Sequence, residues 1–423
     1  MYGGLVGLPG GDPNGEMSSE GESRCIDAFV VALSQACEGG PKRWYTSTLE
    51  LQLVSTELCT ACRSTPGMLL HVRVTDKTPR SLSFPRKSSA RSLICSRLRT
   101  SSRVPVVRAF RLTWSLPMNV LLESAVMELW AQSESLFLER FVSIAGRQKA
   151  VVWPEGLKEL ALHTGLKTTM SAVLWPKSLR RLYLLGAFDE PIAGVRWPSS
   201  LQQLHLGPSF DRDIAGVVWP ASLQQLSFGS RFNQPITSAG WPDSLRRLNL
   251  GDRFNQPVVG VVWPASLRQL EFGVSFNKPI AGVVWPDSLQ LVKFGYNFNQ
   301  AIVEVVWPAS LLQLKLGYVF NHPITGIVWP VSLQTLSLGR CFDQPITEVS
   351  WPASLGQLEL SYDFNQPIVG VLWPTSLRKL SFRGRFDQCI TGVLWPAPLQ
   401  ELSFGWDFNQ PIVGAVWPIF LRH

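Results

Sequence analysis

The chain has 423 residues, a net charge of +8 and a hydrophobic fraction of 45%, which places it with globular proteins rather than disordered or membrane-embedded ones. No apolar stretch approaches the roughly 18–20 residues that cross a bilayer, and the start Met1-Tyr2-Gly3-Gly4 lacks the basic and apolar regions of a secretory signal. A cytoplasmic protein with no membrane span is expected.

Residues 1–112 read as a low-order, mixed and partly basic region. Residues 1–23, rich in Gly, Pro, Ser and Glu, form a tail. A short helix over 27–36 and strands over 49–54 and 69–74 are expected next. Residues 77–112 are Ser/Arg-rich and loose. Between Arg73 and Arg111 eleven Lys/Arg face one acid, Asp76. Such a run reads as a solvated linker before it reads as a nucleic-acid contact. Cys59-x-x-Cys62, with Cys25, Cys37 and His71, lacks the second short-spaced pair of a structural zinc site. The seven cysteines, five of them before residue 100, form no disulfide framework, and a reducing compartment follows.

Over 113–150 a helical capping segment is expected, because Val120, Leu121, Ala125, Leu129, Leu136, Phe137 and Phe141 recur on one helical face. Its opening, Leu116-Pro117 followed by Val120-Leu121-Leu122, faintly resembles the start of an F-box.

Residues 151–423 are a single array. Trp-Pro recurs thirteen times, from Trp153 to Trp417, always 22 residues apart. A fixed period of this size marks a solenoid whose coils touch only their neighbours. One coil reads Trp-Pro-x-Ser-Leu-x-x-Leu-x-(Leu/Phe)-Gly-x-x-Phe-(Asn/Asp)-x-Pro-Ile-x-Gly-Val-x. The Leu-x-x-Leu-x-Leu phrase predicts a parallel strand with alternate side chains inward. Val217-Val218-Trp219 suggests a second extended segment, so one or two strands per coil are expected, with little helix. The fold class is mainly β, a leucine-rich-repeat-like solenoid of about twelve coils. Gly229, Gly251 and Gly273 suit turns of positive φ. The Phe-Asn step predicts an Asx turn. Asp replaces Asn at 189, 211, 343 and 387, which implies that the side chain must accept an N–H, not donate one. The recurring Ser178, Ser200 and Ser222 are expected to hydrogen-bond in the turn, and the Trp ladder to pack in the core.

Phe232-Asn233-Gln234-Pro235-Ile236, with close variants from Phe254, Phe276, Phe364 and Phe408, resembles the repeats of FNIP proteins, a leucine-rich-repeat-like family. The resemblance spans about 151–423, with departures at Asp213, Ala301, Cys389 and throughout the first coil. It implies an interaction module, sometimes joined to an F-box, and no catalysis.

The residues themselves carry no catalytic constellation: no nucleophile elbow, no phosphate loop, and five histidines without metal spacing. No cofactor or metal is expected. The array holds 21 basic and 18 acidic residues, so it lacks the basic stripe of a nucleic-acid binder. Where coils differ from each other, the fold does not dictate the residue. Two such rows bring Lys293 and Lys315 beside Tyr296, Tyr318, Arg340 and Tyr362, with Trp406 further on. Tyr, Trp and Arg dominate protein interfaces, so this row is the expected partner-binding patch. The last coil stops just after Trp417-Pro418, an uncovered end that would suit self-association or a truncated reading frame.

The expected function is a non-enzymatic protein-interaction scaffold with partners of unknown identity. The alternatives are an F-box-type substrate receptor of a ubiquitin ligase and a structural or cell-surface array.

Overall fold

The computed structural model describes residues 49–50, 70–74, 110–114, 135–138, 153–164 and 170–422. By contacts the chain divides into two units, Met1–Leu116 and Pro117–His423.

In the first unit, β1 (Leu49–Glu50) pairs antiparallel with β2 (Leu70–Val74), and β2 pairs parallel with β3 (Phe110–Trp114). Strand β2 falls within the expected strand over 69–74. Strand β3 begins inside the segment expected to be loose. The helix expected over 27–36 and the cysteines before residue 100 lie outside the described residues.

The second unit is the solenoid. Strand β4 (Ser135–Leu138) lies where the capping helix was expected. Its Leu136 is buried, and its register puts Leu136 beside Leu160 and Leu138 beside Leu162. A strand forms here because Leu136 and Leu138 alternate like the strand leucines of the coils. The helical reading counted the same residues on a different period. Its spacing to the next coil is 24 rather than 22, which hid it from the repeat. The remainder of the expected helix, including Leu116-Pro117, lies outside the described residues.

From β5 (Glu159–Thr164) and β6 (Arg181–Gly186) onward the spacing is 22. One strand per coil follows: β7 (Gln203–Leu206), β8 (Gln225–Ser227), β9 (Arg247–Asn249), β10 (Gln269–Glu271) and β11 (Leu291–Lys293). The series continues with β12 (Gln313–Lys315), β13 (Thr335–Ser337), β14 (Gln357–Glu359), β15 (Lys379–Ser381) and β16 (Glu401–Ser403). Every neighbouring pair is parallel and in register, so the same coil position meets itself along the stack, as with Leu270, Val292 and Leu314. The second extended segment, Val217-Val218-Trp219, makes no strand.

The core is built of ladders. Phe188, Phe210, Phe232, Phe254, Phe276, Phe298, Phe320, Phe342, Phe364 and Phe386 are fully buried. Each ring stacks nearly parallel on the next, for example 6.0 Å and 5° between Phe276 and Phe298. A tryptophan ladder runs beside them, as in Trp285–Trp307 at 6.0 Å. The expected core role of the Trp row holds, since most of its rings are less than a tenth exposed. The indole N–H groups from Trp175 to Trp395 are buried without an acceptor.

The polar punctuation works between coils, not within them. The Oδ1 of Asn233 accepts the backbone N–H of Asn255 at 2.9 Å, and Asp211 accepts that of Asn233 at 2.9 Å. The ladder runs unbroken from Asp189 to Asn409. The inference that the position must accept an N–H is therefore right, and the Asx turn is not: the donor sits 22 residues on. Ser222 Oγ likewise donates to the Leu201 carbonyl of the preceding coil at 2.6 Å, not to its own turn.

The strand-end glycines have a steric cause. At Gly229 and Gly273 φ is not positive, contrary to expectation; only Gly251 of the three has it, at 79°. A Cβ on Gly273 would lie 1.8 Å from the Gly251 carbonyl oxygen. Stacked backbones meet there, and only hydrogen fits. Positive φ instead recurs at the second glycine of the coil, such as Gly282 at 79°.

Candidate interaction surface

Each short strand points its middle residue inward and its two end residues outward, as in β11, where Val292 is buried and Lys293 exposed. The row of outward third residues and the row just past the strand-end glycine thus lie side by side along the stack. Their separation along the stack follows the parallel-strand spacing of about 4.8 Å.

The structure brings four of the sequence-predicted residues into one column. The rings of Tyr296 and Tyr318 stack at 4.2 Å with 14° between their planes. The Arg340 guanidinium lies 5.3 Å from the Tyr318 ring centroid and 4.3 Å from that of Tyr362. Each of these cation–π contacts contributes about 0.5–1 kcal/mol at an exposed site. Arg340 is thus held between two rings, and little rotamer freedom is left for a ligand to remove. Burial raises the Tyr318 phenol above its ordinary range, against the opposing pull of Arg340.

Lys293 and Lys315 are register neighbours on β11 and β12. Lys293 has a carboxylate beside it, Glu271 Oε2 at 3.5 Å. Lys315 has Ser337 on its other side. A shallow depression at this end is lined by Glu271, Lys293, Tyr296, Tyr318, Asn249 and Asp252. Trp406 belongs to the same coil position but stands apart, 93% exposed. Between it and Tyr362 the row is interrupted by Gly384, whose backbone the Tyr362 ring covers: a Cβ there would lie 2.6 Å from Tyr362 Cγ.

One surface feature escaped the sequence reading. Val262, Val284, Val306 and Val328, each just before a tryptophan, are 80–82% exposed in four consecutive coils. The signal was present: Val283 and Trp285 both point inward, so the residue between them must point out.

Among the described residues no three His, Cys, Asp or Glu side chains are grouped to hold a metal ion. No helix of the described residues is long and apolar enough to cross a membrane. The two cysteines of the array, Cys341 and Cys389, are free thiols, and burial pushes the Cys341 thiol up, away from the reactive thiolate.

Seven overlapping stretches, 210–253, 232–275, 254–297, 276–319, 298–341, 320–363 and 342–384, match the family model for the FNIP Repeat. Residues 210–384 are a run of FNIP repeats. Each matched stretch covers two coils, in keeping with a motif whose polar bonds bridge one coil to the next. Among solved structures, the FNIP array is similar to CroV588, described as a novel circular LRR protein, at 30% identity and a TM-score of 0.61. That match covers 83% of this chain and 55% of the other. A chain of the Drosophila Toll–Spatzle complex matches at 11% identity and a TM-score of 0.47, over 83% of this chain and 51% of that one. The internalin InlF of Listeria monocytogenes matches at 13% identity and 0.38, over 69% and 92%. The chain thus spans about half the length of the first two. A comparison with curated proteins finds no match. The fold is a leucine-rich-repeat-like solenoid. The family match lies wholly within 210–384 and does not reach the segment that resembled an F-box.

Proposed function

We propose that this repeat protein is a non-enzymatic interaction scaffold that holds a protein partner on the outward face around Lys293, Tyr296, Lys315, Tyr318, Arg340 and Tyr362. The observation that carries the reading is the Tyr-Tyr-Arg-Tyr column. At this position the other coils from Trp175 onward carry Gly, Pro, Ser, Asp, Val and, at 406, Trp, so the fold does not require the aromatic rings or the guanidinium. Rigid aromatic and Arg side chains already stacked in the free protein lose little entropy on binding. Trp406 offers a further exposed anchor along the same row.

Affinity capture from cells tests this. Full-length wild type is compared, by quantitative mass spectrometry, with the Tyr296→Ala/Tyr318→Ala/Tyr362→Ala variant. Selective loss of one set of partners, with the β-sheet circular dichroism unchanged, is the expected result. Identical captured sets from both baits would refute the placement.

A further inference from the structure

Around the tyrosine column three carboxylates are already paired, while two cations have no carboxylate partner. Glu271 faces Lys293 at 3.5 Å, Glu359 faces Arg383 at 3.7 Å and Asp363 faces Arg385 at 3.4 Å. Among the described residues, no carboxylate lies within ion-pair distance of Lys315 or Arg340. Lys315 also sits in register beside a like charge, Lys293, an arrangement that costs stability on a sheet unless an anion offsets it. Arg340 is more constrained. With Tyr318 and Tyr362 beside its guanidinium, its N–H edge is left for a planar acceptor, the geometry that suits a bidentate carboxylate.

Resting on the reading of this column as the partner surface, we propose that the partner presents an acidic peptide segment, one carboxylate of which is held by Arg340 and Lys315. The tyrosines favour a peptide over a nucleic acid. A base-stacking platform needs open ring faces, but Tyr296 and Tyr318 close on each other at 4.2 Å, and Arg340 lies over the next rings. The array also carries 21 basic against 18 acidic residues, too balanced to collect a phosphate backbone by its field. The depression is shallow and runs along the stack, which fits an extended segment. Its far end is bounded by Asp252, so the acidic residues of the segment must face the Tyr318 end, beyond which Arg340 lies against the Tyr318 ring.

Fluorescence anisotropy with the full-length protein tests this. The probes are a fluorescein-labelled peptide of alternating Glu and Gly and its Gln–Gly counterpart, at low ionic strength. The Glu peptide should bind about tenfold more tightly than the Gln peptide. Arg340→Ala and Arg340→Lys should each weaken Glu-peptide binding by about tenfold, because an ammonium neither stacks nor chelates as the guanidinium does. Arg231→Ala, removing an exposed cation three or more coils away, should change nothing. An Arg340→Lys variant that binds like wild type would overturn the proposal. So would equal losses from Arg231→Ala, no preference for Glu over Gln, or displacement of the peptide by oligouridylate. If the triple tyrosine variant still loses its captured partner while the Glu peptide shows no preference, the surface stands and its acidic ligand falls.

Discussion

Replacing Asn277 by alanine removes one rung of the polar ladder and tests whether coils are held together there. Asn277 Oδ1 accepts the Asn299 backbone N–H at 3.0 Å and the Gln300 Nε2 at 2.9 Å. Each bond is worth about 0.5–1.5 kcal/mol net, and a half-buried N–H left unpaired adds its desolvation cost. The expected loss is therefore about 1–3 kcal/mol, concentrated at the seam between two coils. Asn277→Asp keeps the acceptor and should be near neutral at pH 7, as Asp211, Asp343 and Asp387 already fill equivalent rungs at 2.8–2.9 Å. Hydrogen exchange followed by mass spectrometry reads the effect locally, which suits a repeat array whose unfolding need not be two-state. Faster exchange at Asn299 in the alanine variant, but not in the aspartate variant, is expected. Unchanged protection in Asn277→Ala, or equal loss in both, would refute the reasoning.

Four more outcomes follow from the same geometry. The Asp387 carboxyl is held below its ordinary range, first by the Asn409 backbone N–H and then by the Gln410 amide. Its contribution is therefore present above the unfolded carboxylate pKa and is lost as pH falls through the lower folded value; Asp387→Asn should reduce the acid sensitivity of that coil in a pH series of exchange rates. Gly273→Ala would place a Cβ 1.8 Å from the Gly251 carbonyl oxygen, so a urea midpoint showing a loss of several kcal/mol, beyond the ~1 kcal/mol of an ordinary substitution, is expected. Phe298→Ala should cost about 3–5 kcal/mol, while Val284→Ala, 81% exposed, should stay within about 0.5 kcal/mol in the same urea series. Trp307→Phe should cost about 1–3 kcal/mol in thermal melts, because the smaller ring leaves a cavity in the tryptophan ladder, where Trp307 stacks on Trp285 at 6.0 Å.

The parts of this fold that repeat were the parts a sequence could show. Period 22 and the alternation of Leu-x-Leu predicted parallel strands and the inward side chains, because the alternation is local and a constant period stacks each position on its own equivalent. The bonds of Asn233 and Ser222 were placed in the wrong partner, since a spacing of 21 or 22 residues along the chain does not tell an intra-coil acceptor from one stacked above it. Gly273 was assigned to a φ requirement for the same reason: the backbone it avoids belongs to another coil. Strand β4 was missed because its 24-residue offset broke the count. At the candidate site, comparing coils with each other singled out Tyr296, Tyr318, Arg340 and Tyr362, and the register made them touch. It also placed Trp406 in that row, but could not show the break at Gly384 that separates it from the stack.

The most direct measurement of the central claim is site-specific photo-crosslinking in cells, with a photoreactive amino acid placed at Tyr318 on the outward face or at Val284 outside the sheet. The account predicts a discrete partner adduct from position 318 that weakens when Arg340 is changed to alanine, and none from position 284. Adducts from 284 alone, or equally from both, would contradict it.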